Sequence, residues 1–325
     1  ATGISLIPAA LIASIVTLAY TWSGGILAVT LTDAVQYVII VIGVTLCAYL
    51  AIDHLGGFDA MMSILYSNPR FETNMKPLAN WSLVQFLGLF FSFLLGEFCA
   101  PYYIQRYAST KSAKDSKNGL LIFGVHWIFF MATTAAIGLA SMAIQPDVKP
   151  DLAFTNLIRD ILPPGITGLV FGALLAAVMS TGAAMINTSA VIYTRDIYNK
   201  FINTAATQAQ LLRQSRLSTL VVGGISIGVA IIFQDVFGLM IYMFKLWPSA
   251  ILPPLMCGLL WGKISPYAGA PAVIAGGLSF FLWSDKVLGE PFGIPANFIG
   301  IGMNCLVLFF VHQKMKGHKP EGPFL

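Results

Sequence analysis

The sequence predicts an all-α, polytopic membrane protein, and three observations carry that prediction. Of its 325 residues, 57% are hydrophobic and only 10% charged, against roughly 25% charged in an ordinary soluble domain. That is too little charge to cover a water-facing surface. Apolar runs approaching or exceeding the ~20 residues that span a bilayer recur along the whole chain. Lys and Arg collect in alternate connections between those runs, as membrane orientation requires.

Taken in order, about nine transmembrane helices are expected, near 3–19, 25–52, 81–105, 118–145, 166–193, 217–233, 236–262, 267–285 and 293–313. Gly24 and Gly25 separate the first two. The segment 58–77 is polar enough to lie outside the bilayer, as a loop with a short surface helix. Residues 146–165 read the same way, with Pro163, Pro164 and Gly165 punctuating the next helix. The connections 105–117 (Arg106, Lys111, Lys114, Lys117) and 194–216 (Arg195, Lys200, Arg213, Arg216) are basic, as is the tail with Lys314, Lys316 and Lys319. Threading the spans puts all three on one side together with Lys263. Residues 53–80, 146–165, 234–235 and 286–292, mixed or acidic, fall on the other. The basic loops and the C-terminus are therefore placed in the cytoplasm.

The net charge of +4 is accounted for by these loops and gives no reason to expect nucleic acid. Cys47, Cys99, Cys257 and Cys305 sit singly inside apolar runs, with neither metal spacing nor a disulfide framework. The chain opens at Ala1 with no charged segment before its first apolar run, so no signal peptide is read and a fragment of a longer chain is expected.

Charge in a bilayer is costly, so the few ionisable groups inside spans are the default functional candidates. Asp33 lies roughly 14 Å into its span, counted from the Gly24-Gly25 turn; pairing with a polar helix neighbour is the plainer alternative. Glu97 is flanked by Gly96 and Pro101, which together can interrupt a helix. Interrupted backbone at membrane depth is tolerated where it lines a cavity or is buried in protein. A simple proline kink remains the alternative. Lys245 has a stem long enough to carry its ammonium outward, in a helix kinked by Pro248, Pro253 and Pro254.

On residues 166–193, Ala177, Ser180, Thr181 and Ala184 stand at i, i+3, i+4 and i+7 and share one face. Gly172, Ala173 and Ala176 extend a narrow small-residue surface beside them. Taken alone, this face is best explained by close helix packing, with the hydroxyls bonding back to the preceding turn. The competing reading is chemical: sodium is a hard cation, and two adjacent hydroxyls with a carbonyl offer it oxygens without burying another formal charge.

Three stretches, in order, resemble the sodium/solute symporter family, which includes the sodium/proline, sodium/glucose and choline transporters. "YTWSGGILAVTLTDAVQ" (20–36) is similar to its Tyr-x-x-x-Gly-Gly…Thr-Asp-x-x-Gln segment. "PYYIQRYASTKSAKDSKNG" (101–119) resembles its Gln-Arg…Ala-x-Lys-Ser signature, and "LLAAVMSTGAAMINTSAVIYTRDIY" (174–198) its paired Ser-Ser or Ser-Thr helix. The resemblance implies the leucine-transporter-type fold of two inverted five-helix repeats, with ion and solute at the midplane. On that template residues 1–55 are the last two helices of the first repeat and 56–80 an extracellular loop. Residues 81–262 form the second repeat, and 263–325 two accessory helices and the cytoplasmic tail. The first three core helices would then lie outside this chain.

By position, the resemblance makes the Ala177 carbonyl and the Ser180 and Thr181 hydroxyls sodium ligands, and Asp33 the acidic residue of sodium coupling. Tyr102 falls where sugar-transporting members close the inner side of the site, and Glu97, Cys99 and Ala100 would line the solute region. Gly182, Ala183 and Ala184 follow where members with a second sodium carry further hydroxyls, so one sodium per cycle is expected. The function implied is sodium-coupled symport of a small organic solute (amino acid, sugar, carboxylate or organic cation) across a cell membrane, bacterial or archaeal. Sodium would be the coupling ion, with no organic cofactor and no enzymatic activity. Proton coupling through Glu97 or Asp33 is the alternative within transport, and a transporter-like sensor module the alternative outside it. Scattered histidines and the lack of HExxH leave no intramembrane metallohydrolase signature.

Overall fold

The computed structural model describes residues 6–72, 82–232, 235–261 and 264–316. The start of the first expected span, residues 73–81, residue 234, Lys263 and Lys319 lie outside them. Among the described residues the regular structure is all helical, without strands. Seven helices are long and apolar enough to cross a membrane. The difference from nine has two sources. The first two spans run on as one helix, and the span near 267–285 appears as the shorter apolar helix Gly269–Trp283, of 15 residues.

The described residues form two compact units. One draws on 6–72 and 109–232, the other on 82–108, 235–261 and 264–316.

In the first unit, α1 (Leu6–His54) is interrupted at Gly25, whose φ of 55° and ψ of −147° are open to glycine and costly for other residues. Along a straight helix Tyr20 and Gln36 would stand about 24 Å apart. Their side chains come within interaction range of each other, so the two arms fold sharply toward one another at Gly25. The expected break at Gly24-Gly25 is thus a bend within one helical run.

Next come α2 (Phe58–Ser67), α3 (Pro69–Glu72), α6 (Ala113–Ile144) and α7 (Pro150–Ile161). The short helices α2 and α7 are amphipathic. Met61 and Leu65 of one and Leu157 and Ile158 of the other are buried with Cys47, Ala51, Ile137, Ala140 and Val170 in one apolar cluster. Each such side chain contributes about 1.5–3 kcal/mol when fully buried. Pro150 opens α7 at a position where its missing N–H costs nothing.

Helix α8 (Ile166–Ile192) packs along α1. At Gly43 a Cβ would lie 2.6 Å from Ala173 Cβ, so the helices meet through small residues. The chain then continues as a π-helix, Tyr193–Ile202, and α9 (Gln208–Ile232) begins soon after. The basic connection expected over 194–216 is therefore mostly helix, with only 203–207 outside it. Its charges signal water rather than irregular backbone; Lys200 and Asp196 pair across one turn at 3.4 Å.

The second unit contains α4 (Leu83–Cys99), α5 (Pro101–Ala108), α10 (Val236–Leu260), α11 (Gly269–Trp283) and α12 (Ala296–Lys314). Ser82 and Gln85 cap α4 reciprocally. Pro248, Pro253 and Pro254 in α10 cannot donate to the carbonyls four residues earlier, those of Phe244, Ser249 and Ala250. Two of the three find a substitute in the neighbouring helix. Asn304 of α12, fully buried, donates its amide to Ser249 O at 3.0 Å and Ala250 O at 2.7 Å. Nearby, Asn297 donates to Ser92 Oγ of α4 at 3.2 Å.

Lys245 is tied as well. Its ammonium lies 3.3 Å from Glu290 Oε1, with both side chains about a quarter exposed, at 23% and 24%. Glu290 also accepts from the backbone N–H of Ala296. The expected outward reach of Lys245 ends on a carboxylate.

Candidate functional site

The sequence-predicted residues divide between the two units. In the first, α8 brings three oxygens together. Ser180 Oγ donates to Ala177 O at 3.0 Å, and Thr181 Oγ1 donates to the same carbonyl at 3.1 Å. Both hydroxyls fall on one side because Ser180 is three and Thr181 four residues beyond Ala177. This is the back-bonding geometry that polar residues adopt in apolar helices. It uses the hydroxyl hydrogens and leaves the oxygen lone pairs available. Ser180 is half-buried and Thr181 exposed, so the lone pairs are not sealed by the unit's own packing. The donor set is all oxygen and uncharged, which suits a hard monovalent cation as cargo. Ala176, Ala183 and Ala184, on the turns around the hydroxyls, are buried, so this part of α8 packs closely while Thr181 stays exposed.

Asp33 sits on the second arm of α1. Its carboxylate lies within electrostatic reach of the Tyr20 hydroxyl, which Gln36 also approaches. Tyr20 in turn donates to Met179 O at 3.1 Å, the carbonyl immediately before Ser180. Sequence reasoning quoted Tyr20 and Gln36 within the 20–36 segment and gave them no role. The bend at Gly25 brings them together, and a linear reading of two separate spans does not show it.

In the second unit, Glu97, Cys99, Ala100 and Tyr102 surround the helix break expected there. α4 ends at Cys99, and Ala100 is extended at φ −65° and ψ 118° before Pro101 opens α5. The residue before a proline is disfavoured in the helical region for steric reasons. Gly96 allows α4 to meet α10, since a Cβ there would lie 2.9 Å from Phe244 O, the carbonyl released by Pro248. Cys99 and Ala100 are fully buried. Glu97 is hydrogen-bonded by Tyr103, a partner the sequence reading missed, while its Oε2 is buried and accepts no hydrogen bond. Tyr102 packs on Tyr103, with ring centroids 4.5 Å apart, and on Trp247 at 6.2 Å. The break therefore presents one carboxylate among aromatic rings.

The sequence profile of the sodium:solute symporter family matches residues 1–276. Among curated relatives, an osmoregulated proline transporter of Bacillus subtilis is 28% identical over 286 residues, covering 85% of this chain and 56% of the relative. A sodium/proline symporter of Escherichia coli is 26% identical over 280 residues, covering 83% of this chain and 55% of the relative. The chain thus spans just over half the length of these relatives. Among solved structures, a Na+-coupled sialic acid symporter in a substrate-bound outward-open state superposes with a TM-score of 0.73 at 20% identity. That match covers 100% of this chain and 69% of the other. It gives the fold, the leucine-transporter type expected from the sequence.

Proposed function

Because the chain belongs to the sodium:solute symporter family, we propose that it is part of a sodium-coupled secondary transporter carrying a small organic solute by alternating access. The observation that carries this reading is the convergence of the Ser180 and Thr181 hydroxyls on the Ala177 carbonyl. Sodium would take these three oxygens and complete its shell elsewhere in the protein. Asp33 would supply attraction for the ion. The membrane potential adds about 2.3 kcal/mol per charge for each 100 mV.

The curated relatives named above are proline transporters, so proline is the first solute to test. On this reading Glu97 and Tyr102 meet the solute at the helix break, with Cys99 and Ala100 forming the backbone of the break. Residues 1–55 would close the first inverted repeat, 56–80 form an extracellular loop, and 81–262 make up the second repeat. Residues 263–325 would supply the accessory helices and a cytoplasmic C-terminus. The protein would reside in a cell membrane, catalyse no covalent chemistry and need no organic cofactor.

The test is uptake of labelled proline by the full-length protein in proteoliposomes, driven by a sodium gradient. Ser180→Ala and Thr181→Ala are each expected to raise the sodium concentration for half-maximal uptake about tenfold, the worth of a charge-assisted ligand of roughly 1.5 kcal/mol. Unchanged sodium dependence in both variants would remove the ligand assignment. Proton coupling is the second reading, favoured by the buried Glu97 Oε2 that accepts no hydrogen bond. Uptake driven by a pH gradient without sodium, and lost in Glu97→Gln, would select it.

A further inference from the structure

Tyr20 and Gln36 bracket the 20–36 segment, and the sodium reading gives neither a task. The structure joins them to the two parts of that site. Tyr20 Oη donates to Met179 O at 3.1 Å. The Gln36 side chain lies beside the same phenol, and the Asp33 carboxylate is within electrostatic reach of it. Gln36 Oε1 is buried and accepts no hydrogen bond. The phenol thus has two neighbours: its O–H donates to the carbonyl of Met179, and the Gln36 amide lies beside it.

We propose that Tyr20 is a positioning residue that sets the Asp33 arm of α1 against the Ser180/Thr181 turn of α8. The hydroxyl grips α8 at the carbonyl one residue before Ser180, and it holds the second arm through Gln36, three residues past Asp33. The bend at Gly25 is what allows one phenol to reach both. The first arm is seated firmly enough to act as an anchor, because Thr17 lies against Gly182, where a Cβ would come within 3.9 Å. Thr17 and Thr21 are themselves buried and bonded within their own helix. A phenol that bonds α8 and sits beside the second arm ties the two together, so ion arrival at the α8 hydroxyls is felt at Asp33 through this link. A phenylalanine would fill the same space and break the link at its centre.

This inference rests on the sodium reading, and the experiment separates the two. The full-length protein in detergent is titrated with sodium chloride, against choline chloride as the ionic-strength control. The readout is the sodium concentration giving half of the maximal rise in thermal midpoint. Tyr20→Phe is expected to raise that concentration about five- to tenfold, the range of a single hydrogen bond. Gln36→Leu, which spares the bond to Met179, should raise it by a similar factor and stands in if Tyr20→Phe fails to fold. Combining Tyr20→Phe with Asp33→Asn should cost no more than the worse single change, since both act through one link. A Tyr20 that serves stability alone would lower the sodium-free midpoint and leave half-saturation where it was. That result, or an additive double variant, overturns the proposal. A flat titration of the unaltered protein overturns the sodium reading itself, and the positioning role with it.

Discussion

In α8 the hydroxyls of Ser180 and Thr181 bond a carbonyl of their own helix; in α10 the orphaned carbonyls of Ser249 and Ala250 are bonded by Asn304 of another helix. Both helices are apolar and of nearly equal length, at 27 and 25 residues. The first is locally self-sufficient: its backbone ladder is intact, and its polar side chains add back-bonds that can be given up. The second has lost ladder bonds at three prolines and depends on long-range replacements. Polar groups that are locally redundant are free to serve a ligand. Those that replace missing backbone bonds are committed to the fold.

The sharpest way to break this contrast is at Asn304. Asn304→Ala strips the partners from two carbonyls at once, and each buried unsatisfied group costs about 1–3 kcal/mol. A loss of roughly 2–6 kcal/mol is therefore expected, seen as a large fall in thermal midpoint in detergent. Ser180→Ala, by contrast, removes only a back-bond and should change the sodium-free stability by less than about 0.5 kcal/mol. Equal losses in the two variants would show that α10 does not depend on its neighbour as described.

The same contrast explains which features the sequence made legible. Span positions, the break at Ala100 and the hydroxyl face of α8 follow from local rules: apolar run length, the steric demand of Pro101, and the i, i+3, i+4 spacing of Ala177, Ser180 and Thr181. The π-helical continuation through Tyr193–Ile202 was not legible, because charge marks exposure to water and says little about backbone form. The bond from Tyr20 to Met179 spans 159 residues and that from Asn297 to Ser92 spans 205. No periodicity encodes such pairs. The three prolines of α10 did carry a usable signal, since freed carbonyls in an apolar helix imply a donor nearby. Asn304 and Asn297, isolated amides in the final apolar run, were the candidates to supply it.

A second, smaller effect is expected at Lys245 and Glu290. Lys245→Met leaves Glu290 with only the Ala296 N–H as a named partner and should cost about 1 kcal/mol, between the values for exposed and buried pairs. Glu290→Gln keeps an acceptor for both Lys245 and Ala296 and should cost less. Thermal midpoints of the two variants, measured side by side, test the order. If Glu290→Gln proves the more damaging, the carboxylate's charge matters more than its acceptor geometry.

The smallest effect belongs to Arg159 and Asp160 on α7, outside the spans. The Arg159 guanidinium donates to Asp160 at 2.7 Å and holds the carboxyl below its usual range; desolvation opposes this, and a bond from Gln145 adds a smaller lowering. A carboxyl depressed in the folded state contributes stability above its unfolded value and loses it as pH falls through the lower folded value. Both side chains are well exposed, at 57% and 40%, so solvent screens the pair and salt weakens it further. Asp160→Asn should therefore leave the thermal midpoint at neutral pH unchanged within error, in low and high salt alike. A clear loss confined to low salt would show that this surface pair contributes to stability, and that the first unit also relies on charged side chains, as the second does at Lys245.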